Sequence, residues 1–299
     1  MIRRPPRSTQ SRSSAASDVY KRQTLWREVD EGRLSAEDFQ REQERLVGEY
    51  RLTWTRALLM DSLQDLAESI LWELGEYTGN RDGEEIRRRC LHAVAHIKAE
   101  WHRNVKDVNR QSVERFYADS EAMIYELMWW HTLSEDLSPL AYVTALEFAR
   151  GNGCRDFLDF GSGVGSGGIL FARHGFAVTL GDISPVSLDF SRWRFERRRL
   201  RAVHLDLRDA VLPEAAFDFV TAMDVFEHLV DPGEAVGTLS RALKPGGFLF
   251  GRFHAEHDED RPHHVTLDFV PTFRVLEDLG FEEVWRDEWL WGHQVFRKG

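Results

Sequence analysis

One glycine-rich stretch near the middle of the chain has the residue types and spacing of a ligand-binding turn. Residues 158–165 read Leu-Asp-Phe-Gly-Ser-Gly-Val-Gly, with an apolar run before them and a helix expected from about Gly168. Glycine permits positive φ angles and lets a ligand come close to the backbone. The amides of such a turn and of the following helix favour anionic or polar groups. The stretch predicts a nucleotide or nucleoside site, and a tight turn without a ligand is the structural alternative.

Acidic residues after the next two apolar runs fit the same kind of ligand. Asp182 ends the second run, where a carboxylate can accept hydrogen bonds from both hydroxyls of a ribose. Asp206 follows the third run and can accept a hydrogen bond from an adenine amino group, with a solvated loop acid as the alternative. Both residues support nucleoside binding without deciding which cofactor carries the nucleoside.

Candidate acid–base groups follow the fourth and fifth apolar runs. Glu227 and His228 come after the fourth run, a short distance beyond Asp224. Residues 254–264 follow the fifth run and contain four histidines and four acids, of which His254 is nearest to the run and the first candidate to face a substrate. Such side chains can act as bases or metal ligands. The plain alternatives are a Glu-His pair that only holds its loop and a solvated loop with incidental histidines.

The C-terminal half alternates short apolar runs with helical patterns, which predicts a parallel sheet covered by helices. A helix over Leu140–Arg150 precedes the first run. Strands are expected at Phe157–Phe160, Ala177–Leu180, Ala202–Leu205, Phe219–Met223 and Phe248–Phe253, and an antiparallel pair at Phe281–Arg286 and Leu290–Phe296. Before the fifth strand, Pro245 should stop the preceding helix and Gly246-Gly247 should give a left-handed exit. The candidate ligand and acid–base groups would then share the carboxyl edge of the sheet.

Three of these segments together resemble the class I methyltransferases that use S-adenosylmethionine (SAM), of the type 11, 12 and 23 kind. They are D-x-G-x-G-x-G from Asp159 to Gly165, the segment Phe217–Leu229, and Leu-Lys-Pro-Gly-Gly-Phe-Leu-Phe at 243–250. The resemblance spans about Pro139 to Lys298. It implies a doubly wound, Rossmann-like α/β fold with a seven-stranded sheet in the order 3-2-1-4-5-7-6 and an antiparallel last strand. The cofactor-binding residues that it implies are Asp159, Gly161, Ser162, Gly163, Gly165, Asp182, Ile183, Asp206, Leu207, Met223 and Asp224.

The resemblance also implies the chemistry, which is transfer of a methyl group from SAM to an acceptor that the sequence does not identify. The cofactor carries the reactive group, and the protein must place a nucleophile behind it. A general base assists when the acceptor is a hydroxyl or a protonated amine, and the catalytic candidates are His228, Glu227 and His254. We expect no resident metal. The alternative is that Asp224, Glu227 and His228 resemble the loop of quinone-pathway O-methyltransferases that use a divalent cation.

Residues 24–135 are predicted to form a helical N-terminal domain or cap, followed by the methyltransferase domain at 136–299. Ser35 and Asp38 predict a capped helix start. Apolar stripes follow at Leu59, Leu63, Leu66, Ile70 and Leu74, at Ile86, Cys90, Val94, Ile97 and Trp101, and at Val113, Phe116, Met123 and Leu127. The aromatic group Tyr125, Trp129, Trp130 and His131 either walls an acceptor pocket or joins the two parts of the chain.

Residues 1–23 are basic, Ser-rich and without apolar periodicity. We predict a disordered leader that is not native and resembles translated adapter sequence, with a transit peptide as the alternative.

The net charge of −11 argues against a nucleic-acid partner, which favours a small-molecule acceptor. No apolar run approaches the ~20 residues of a membrane span. Cys90 and Cys154 lack metal-type spacing. These features predict a cytoplasmic protein without a membrane partner, in which any homodimer would form through the helical region.

Two other functions stay open at this point. Gly163, Gly165 and Gly168 also satisfy the G-x-G-x-x-G spacing of dinucleotide-binding proteins, so an NAD(P)-dependent oxidoreductase can use the same loop. A non-catalytic SAM-binding or assembly protein would instead work through its helical region. Binding of NAD without SAM would favour the first, and SAM binding without turnover would favour the second.

Overall fold

The N-terminal part of the structure is built from helices. The computed structural model describes residues 29, 31–60, 63–287 and 292–299, so the predicted leader at 1–23 lies outside the described residues. The helices are α1 (Ala36–Leu58), α2 (Leu66–Thr78), α3 (Gly83–Leu91), α4 (Ala93–Asn104), α5 (Arg110–Asp119) and α6 (Ala122–Trp130). Among the described residues, no helix has the length and apolar character needed to cross a bilayer.

Local sequence signals set the helix ends, but all three predicted stripes were wrong as single helices. The predicted cap at the start of α1 is confirmed, since the Ser35 side chain accepts from the Asp38 amide at 3.1 Å. The first stripe divides because Leu59 lies beyond the end of α1 and Ile70 lies on α2. The second divides at His92, between α3 and α4. The physical reason is that Ile86 and Cys90 pack into the main core, whereas Ile97 and Trp101 pack into a separate cluster with Val113 and Phe116. The third divides because Val113 and Phe116 lie on α5, whereas Met123 and Leu127 lie on α6.

The C-terminal part is a sheet with helices on both faces. A short 3₁₀ turn at Ser138–Leu140 leads into α7 (Ala141–Gly151). Then follow β1 (Asp156–Phe160), α8 (Ser166–Arg173), β2 (Ala177–Asp182), α9 (Pro185–Arg197), β3 (Val203–Asp206), β4 (Phe217–Ala222), a 3₁₀ turn (Phe226–His228), α10 (Pro232–Ala242), β5 (Leu243–Gly251), α11 (Val270–Asp278), β6 (Phe281–Arg286) and β7 (Gln294–Lys298). Within the described residues these strands form one sheet in the order β3-β2-β1-β4-β5-β7-β6. The predicted order is confirmed.

The pairing of the strands also agrees with the expected fold. The first five strands pair in parallel, while β7 runs antiparallel to both β5 and β6. The last strand begins at Gln294 rather than Leu290, and residues 288–291 lie outside the described residues. Because parallel strands end at one edge of a sheet, the loops after β1, β2, β3 and β4 meet there.

The turn before β5 differs in detail from the prediction. The preceding helix ends at Ala242, and Leu243 already pairs with Phe217 on β4. The register then jumps to the pair Phe219 and Phe248, so the intervening Lys-Pro-Gly-Gly segment bulges out of the ladder. Gly246 has the predicted left-handed conformation, with φ +75°, but Gly247 does not. The predicted strand start at Phe248 was therefore wrong, because the strand forms on both sides of the bulge.

The helical region shares a hydrophobic core with the sheet. Trp54 of α1 and Met128 of α6 are fully buried in the same cluster as Phe157 and Phe219 of the sheet. Burying aromatic and aliphatic side chains of this size contributes roughly 1.5–3 kcal/mol each. The helices therefore cover one face of the sheet domain as a cap.

A buried ion cluster joins the same two parts. Glu73 of α2 accepts from Arg194 Nε at 2.8 Å and from Arg198 NH2 at 2.6 Å, and the three side chains are 1% exposed or less. Burial alone would raise the pKa of Glu73, but the two guanidinium groups lower it on balance. Arg194 also donates to the Val164 carbonyl at 2.8 Å and to the Ser166 hydroxyl at 2.7 Å, which links α2 to the glycine-rich turn.

Candidate active site

The glycine-rich stretch forms the turn between β1 and α8, as predicted. Gly161, Gly163 and Gly165 have φ angles of +72°, +49° and +76°, which side chains with a Cβ rarely adopt. A Cβ on Gly165 would lie 2.2 Å from Oγ of Ser191 on α9. The turn needs glycine at this position for both its conformation and its close packing.

Asp182 ties the glycine turn to the end of β2. Its Oδ2 accepts from the Gly163 amide at 2.7 Å, and its Oδ1 accepts from the Ser184 amide at 2.8 Å. Burial raises the pKa of Asp182, although these amides oppose the shift. A carboxylate oxygen accepts more than one hydrogen bond, so both oxygens keep acceptor capacity for a ligand. Ile183 lies between these bonded residues and is half-buried.

Asp206 lies beside Asp182, because the two residues are partners in the β2–β3 register. Its carboxylate accepts from the Arg208 side chain, which lowers the pKa of Asp206. Leu207 donates its amide to the Asp182 carbonyl at 2.9 Å and is half-buried. The structure brings these two acids to one edge of the sheet, as the sequence predicted.

Asp159 occupies a different position from the other predicted ligand residues. It is fully buried under the glycine turn, where its Oδ1 accepts from the Thr221 hydroxyl at 2.7 Å and from the Tyr142 hydroxyl at 3.1 Å. Burial raises the pKa of Asp159 to about 7. The carboxyl group therefore braces β1 against β4 and α7 from beneath the turn.

Helix α6 lies over the same turn. A Cβ on Gly163 would lie 2.7 Å from Cδ1 of Leu127, so this leucine packs directly on the glycine backbone. Beside it, the hydroxyl of Ser162 is buried and has no hydrogen-bond partner among the described residues. An unpaired buried hydroxyl costs roughly 1–3 kcal/mol, so it marks a place where a polar ligand group fits.

The loop after β4 carries the second set of predicted residues. Met223 is 6% exposed, and Asp224 follows it with a positive φ of +48°, a conformation that is uncommon outside glycine. Asp224 Oδ1 accepts from Arg252 at 3.1 Å. Burial, together with the neighbouring Glu227, raises the pKa of Asp224 to about 7. Burial likewise raises the pKa of Glu227 to about 7, and its Oε2 has no hydrogen-bond partner in the described part of the chain.

His228 stands at the centre of a cluster of aromatic and imidazole rings. Its Nδ1 lies 2.8 Å from the Tyr117 hydroxyl and 3.2 Å from the His263 carbonyl oxygen. A carbonyl only accepts, so we assign the proton of His228 to Nδ1 and the lone pair to Nε2. No described group hydrogen-bonds to this Nε2. The His263 and His264 rings lie 5.2 and 4.8 Å from the His228 ring, centroid to centroid.

The histidine-rich loop after β5 contributes different residues from the one expected. The side chain of His254 is 65% exposed and faces Glu256 at 3.5 Å. It lines a surface cleft of about 650 Å³ together with Arg252 and Phe253. The structure does not bring His254 to His228, whereas it does bring His263 and His264 there.

The carboxylates of the predicted divalent-cation alternative do not join His228. Among the described residues, Asp224 and Glu227 do not converge with it as a three-ligand group, and the histidines of the loop do. The convergent group is therefore His228 with His263 and His264, and the metal alternative stays a prediction.

Sequence reasoning missed Tyr117 and Glu126 on the helical cap. Tyr117 lay in no predicted site although it contacts His228. Burial raises the pKa of Glu126 to about 7, and the nearby Asp224 adds to the shift. Glu126 interrupts an otherwise apolar helix, but this did not indicate what it would face, and Tyr117 lies on a mostly polar helix that gave no such signal.

The aromatic group before the sheet domain serves mainly to join the two parts. Tyr125, Trp129 and His131 are 8% exposed or less, and Tyr125 and Trp129 belong to the shared core. The indole of Trp130 donates to Asp136 at 3.0 Å and to Ser138 at 3.1 Å. Of the two alternatives drawn from the sequence, packing between helices and sheet domain describes these contacts better than a pocket wall.

Comparison with known proteins supports the resemblance to methyltransferases. A family model described as a methyltransferase domain matches residues 158–251, which include the glycine turn, Asp182 and the loop with His228. With the sheet order described above, this match supports a class I methyltransferase fold for the sheet domain, and SAM is the cofactor of the family that it resembles. The match leaves the N-terminal helices unassigned and does not favour an NAD(P)-dependent oxidoreductase.

Curated relatives agree with this class. The chain is 38% identical over 96 residues to a ubiquinone biosynthesis O-methyltransferase of Caulobacter vibrioides, which covers 31% of this chain and 38% of that one. It is 32% identical over 136 residues to a probable S-adenosylmethionine-dependent methyltransferase of Mycolicibacterium smegmatis, covering 43% and 52% of the two chains. The chain thus spans about half or less of the length of these relatives. A SAM-dependent methyltransferase structure from Leishmania major is similar in fold, with TM-score 0.50, 15% identity and coverage of 67% and 89%.

Proposed function

We propose that this protein transfers a methyl group from SAM to a hydroxyl or amine of a small-molecule acceptor. The observation that carries the proposal is the junction of the glycine turn with Asp182, where the Gly163 amide lies 2.7 Å from Oδ2. A nucleoside with a polar tail fits such a junction, because a carboxylate acceptor for the ribose lies beside a glycine turn that lets the tail come close to the backbone.

The residues around this junction fit SAM. The carboxylates of Asp182 and Asp206 would accept from the ribose and the adenine, and Ile183, Leu207 and Met223 would line the nucleoside. The unpaired, buried hydroxyl of Ser162 would bind a polar group of the amino-acid portion. Asp159 would keep the turn in place from below, since it is fully buried and bonded to Thr221 and Tyr142.

When bound, SAM supplies an electrophilic methyl group that accepts a nucleophile from the side opposite its sulfur. The chain's own part is to hold the acceptor and take its proton. Burial lowers the pKa of His228 to about 4, so the ring is neutral at physiological pH and offers the Nε2 lone pair. Glu227 has a pKa of about 7, close to the operating pH at which a general base works best. We assign proton removal to this Glu227–His228 pair.

A phenolic hydroxyl is the acceptor group to test first. Several of the related sequences carry the name ubiquinone biosynthesis O-methyltransferase. Buried groups whose pKa lies near 7, as for Asp224 and Glu227, can take a proton from such a hydroxyl as its oxygen attacks. The negative net charge of the chain is consistent with an acceptor that is not a nucleic acid.

The test is calorimetric titration with SAM, its demethylated product and NAD, on the natural chain, Asp182→Ala and Asp209→Ala. Asp209 is an exposed acid in the loop after β3 and provides the matched control. We expect micromolar binding of the first two ligands by the natural chain and the control, and its loss in Asp182→Ala. Binding of NAD alone would contradict the proposal.

Turnover is then measured on a panel of catechols, phenols and amines with radiolabelled SAM. His228→Ala and Glu227→Gln should lose at least about 10-fold in kcat, since a general base contributes about 10²–10⁴-fold. His257→Ala, an exposed histidine of the loop after β5, should retain full activity. SAM binding without turnover on any acceptor would favour the non-catalytic alternative.

A further inference from the structure

Three histidines from two separate segments meet beside the candidate acceptor site. His228 lies in the 3₁₀ turn after β4, while His263 and His264 lie in the loop before α11. One ring nitrogen from each residue lies within 4.8 Å of the corresponding nitrogens of the other two. The three ring centroids are 4.8, 5.2 and 5.2 Å apart. We propose that these imidazoles form a binding site for a divalent transition metal of the Zn²⁺ type.

The spacing of the rings agrees with tetrahedral coordination. A zinc–nitrogen bond of about 2.0–2.1 Å places each ring centroid about 3.2 Å from the metal, and tetrahedral angles then separate two centroids by about 5.2 Å. The observed centroid distances of 4.8–5.2 Å match this value. Side-chain rotations would bring the three nitrogens, which lie within 4.8 Å of one another, to the separation of about 3.3 Å that tetrahedral bonds of this length require.

The chemical state of the rings also fits ligation. The side chain of His263 is 7% exposed, and its Nδ1 has no hydrogen-bond partner among the described residues. A buried, unpaired imidazole nitrogen is costly, and a metal bond satisfies it.

The surrounding contacts hold the two segments together. The backbone carbonyl of Glu227 accepts from the amides of Val265 and Thr266 at 2.8 and 3.0 Å, which fixes the loop next to the turn. The Tyr117 hydroxyl and the His263 carbonyl both lie at hydrogen-bond distance from Nδ1 of His228, which directs its Nε2 lone pair outward. Such partners orient the histidine ligands of metal sites and strengthen them as donors.

The ligand set selects the metal and leaves room for a fourth ligand. Three nitrogens without a carboxylate suit Zn²⁺, Co²⁺, Ni²⁺ or Cu²⁺ and do not suit Mg²⁺ or Ca²⁺, which prefer oxygen. His228 and His264 are half-buried rather than enclosed, so one side of the site is open. A three-histidine site with an open position can bind a water or a hydroxyl oxygen and lower its pKa. A metal on Nε2 of His228 would use the lone pair of that ring, so proton removal would then fall to Glu227 alone. This role in the reaction rests on the proposed methyl transfer, whereas metal binding itself does not.

The experiment measures metal binding without SAM or acceptor. Protein freed of metal by dialysis against a chelator is titrated with Zn²⁺ and, as a coloured probe, with Co²⁺. We expect one ion per chain, with the visible absorption of tetrahedral Co²⁺, and no binding of Mg²⁺. His264→Ala and His263→Ala should each weaken Zn²⁺ binding at least about 100-fold, because losing a ligand costs no less than losing a supporting contact. His257→Ala, from the same loop but exposed, should bind Zn²⁺ as the natural chain does.

A thermal melt gives a second readout that does not depend on activity. Saturating Zn²⁺ should raise the Tm of the natural chain and of His257→Ala, but not that of His264→Ala. Circular dichroism of the metal-free variants establishes that each is folded. Absence of stoichiometric binding, or binding that survives His264→Ala and His263→Ala, would overturn the proposal. Either result would leave the SAM titration untouched, so the two proposals fail separately.

Discussion

The hydroxyl of Tyr117 lies 2.8 Å from Nδ1 of His228, although 111 positions separate the two residues along the chain. Tyr117 belongs to helix α5 of the cap, and His228 belongs to the turn after β4 of the sheet domain. The cap therefore supplies one wall of the candidate active site and a contact that orients its imidazole. Residues that the family match leaves unassigned thus take part in the site.

Replacing Tyr117 with Phe tests this contact. Loss of a hydrogen bond worth about 1 kcal/mol should lower kcat about 5-fold while the Kd for SAM stays unchanged. The same variant should weaken Zn²⁺ binding about 10-fold if the hydroxyl supports the metal ligand. Kinetics with a responsive acceptor and the zinc titration provide the two readouts. Tyr77→Phe is the control, since Tyr77 packs on Phe190 and Trp193 away from His228. Equal effects in both variants would argue against a positioning role.

The glycine turn allows a test with a matched glycine. Gly165 and Gly175 both have positive φ angles, +76° and +84°, so alanine strains either position by about 1–2 kcal/mol. Only at Gly165 would the added Cβ meet another atom, Ser191 Oγ at 2.2 Å, whereas nothing lies within 4 Å at Gly175. Gly165→Ala should therefore weaken SAM binding at least about 10-fold, and Gly175→Ala should not. Calorimetry measures both, and adding Ser191→Ala to Gly165→Ala should restore part of the affinity.

The buried ion cluster should dominate the stability of the cap. Glu73→Gln leaves Arg194 and Arg198 without their counter-charge in the core, which should cost about 3–5 kcal/mol in the free energy of unfolding. Glu76→Gln breaks the exposed pair with Arg197 on the same two helices and should cost less than about 1 kcal/mol. Urea unfolding followed by tryptophan fluorescence measures both. Similar losses in the two variants would mean that burial does not set the strength of the cluster.

Acid should destabilise the protein through His131. Burial lowers the pKa of this side chain from 6.5 to about 3, so between these values the unfolded state binds the proton and the folded state does not. The stability contributed by neutral His131 is therefore complete above about pH 6.5 and declines as the pH falls towards 3. The slope is about 1.4 kcal/mol per pH unit for one proton. Urea unfolding from pH 7.5 to 4.5 should give a flatter dependence in His131→Gln and an unchanged one in the exposed His96→Gln. Parallel curves for the natural chain and His131→Gln would contradict the assignment.

Local patterns predicted the elements of the sheet domain because each strand is a short apolar run with a turn signal beside it. Phe281–Arg286 was predicted with the observed bounds, and the turn at Gly161, Gly163 and Gly165 has the predicted backbone. The strand order came from the resemblance, since periodicity reports which face of a segment is buried but not which segment lies beside it. The same limit explains the division at His92, where one apolar stripe serves two separate clusters.

The site was predictable in part for the same reason. Asp182 and Asp206 follow strands that share an edge, so their proximity follows from the fold. His263 and His264, rather than His254, lie near His228 because the long loop after β5 folds back to the Glu227 carbonyl. No pattern in the sequence of the loop specifies this path. Tyr117 and Glu73 act across more than a hundred residues, where a single sequence carries no pairing signal.

Arg194 is bonded at once to Glu73 of the cap and to the Val164 carbonyl and Ser166 hydroxyl of the glycine turn. The two parts of this chain are therefore not interchangeable modules. A chimaera that joins this sheet domain to the N-terminal region of another methyltransferase needs an acid in the place of Glu73. Without it, the guanidinium groups of Arg194 and Arg198 would be buried with no counter-charge. In evolution as in engineering, Glu73 and the two arginines that it neutralises, Arg194 and Arg198, must change together or stay as they are.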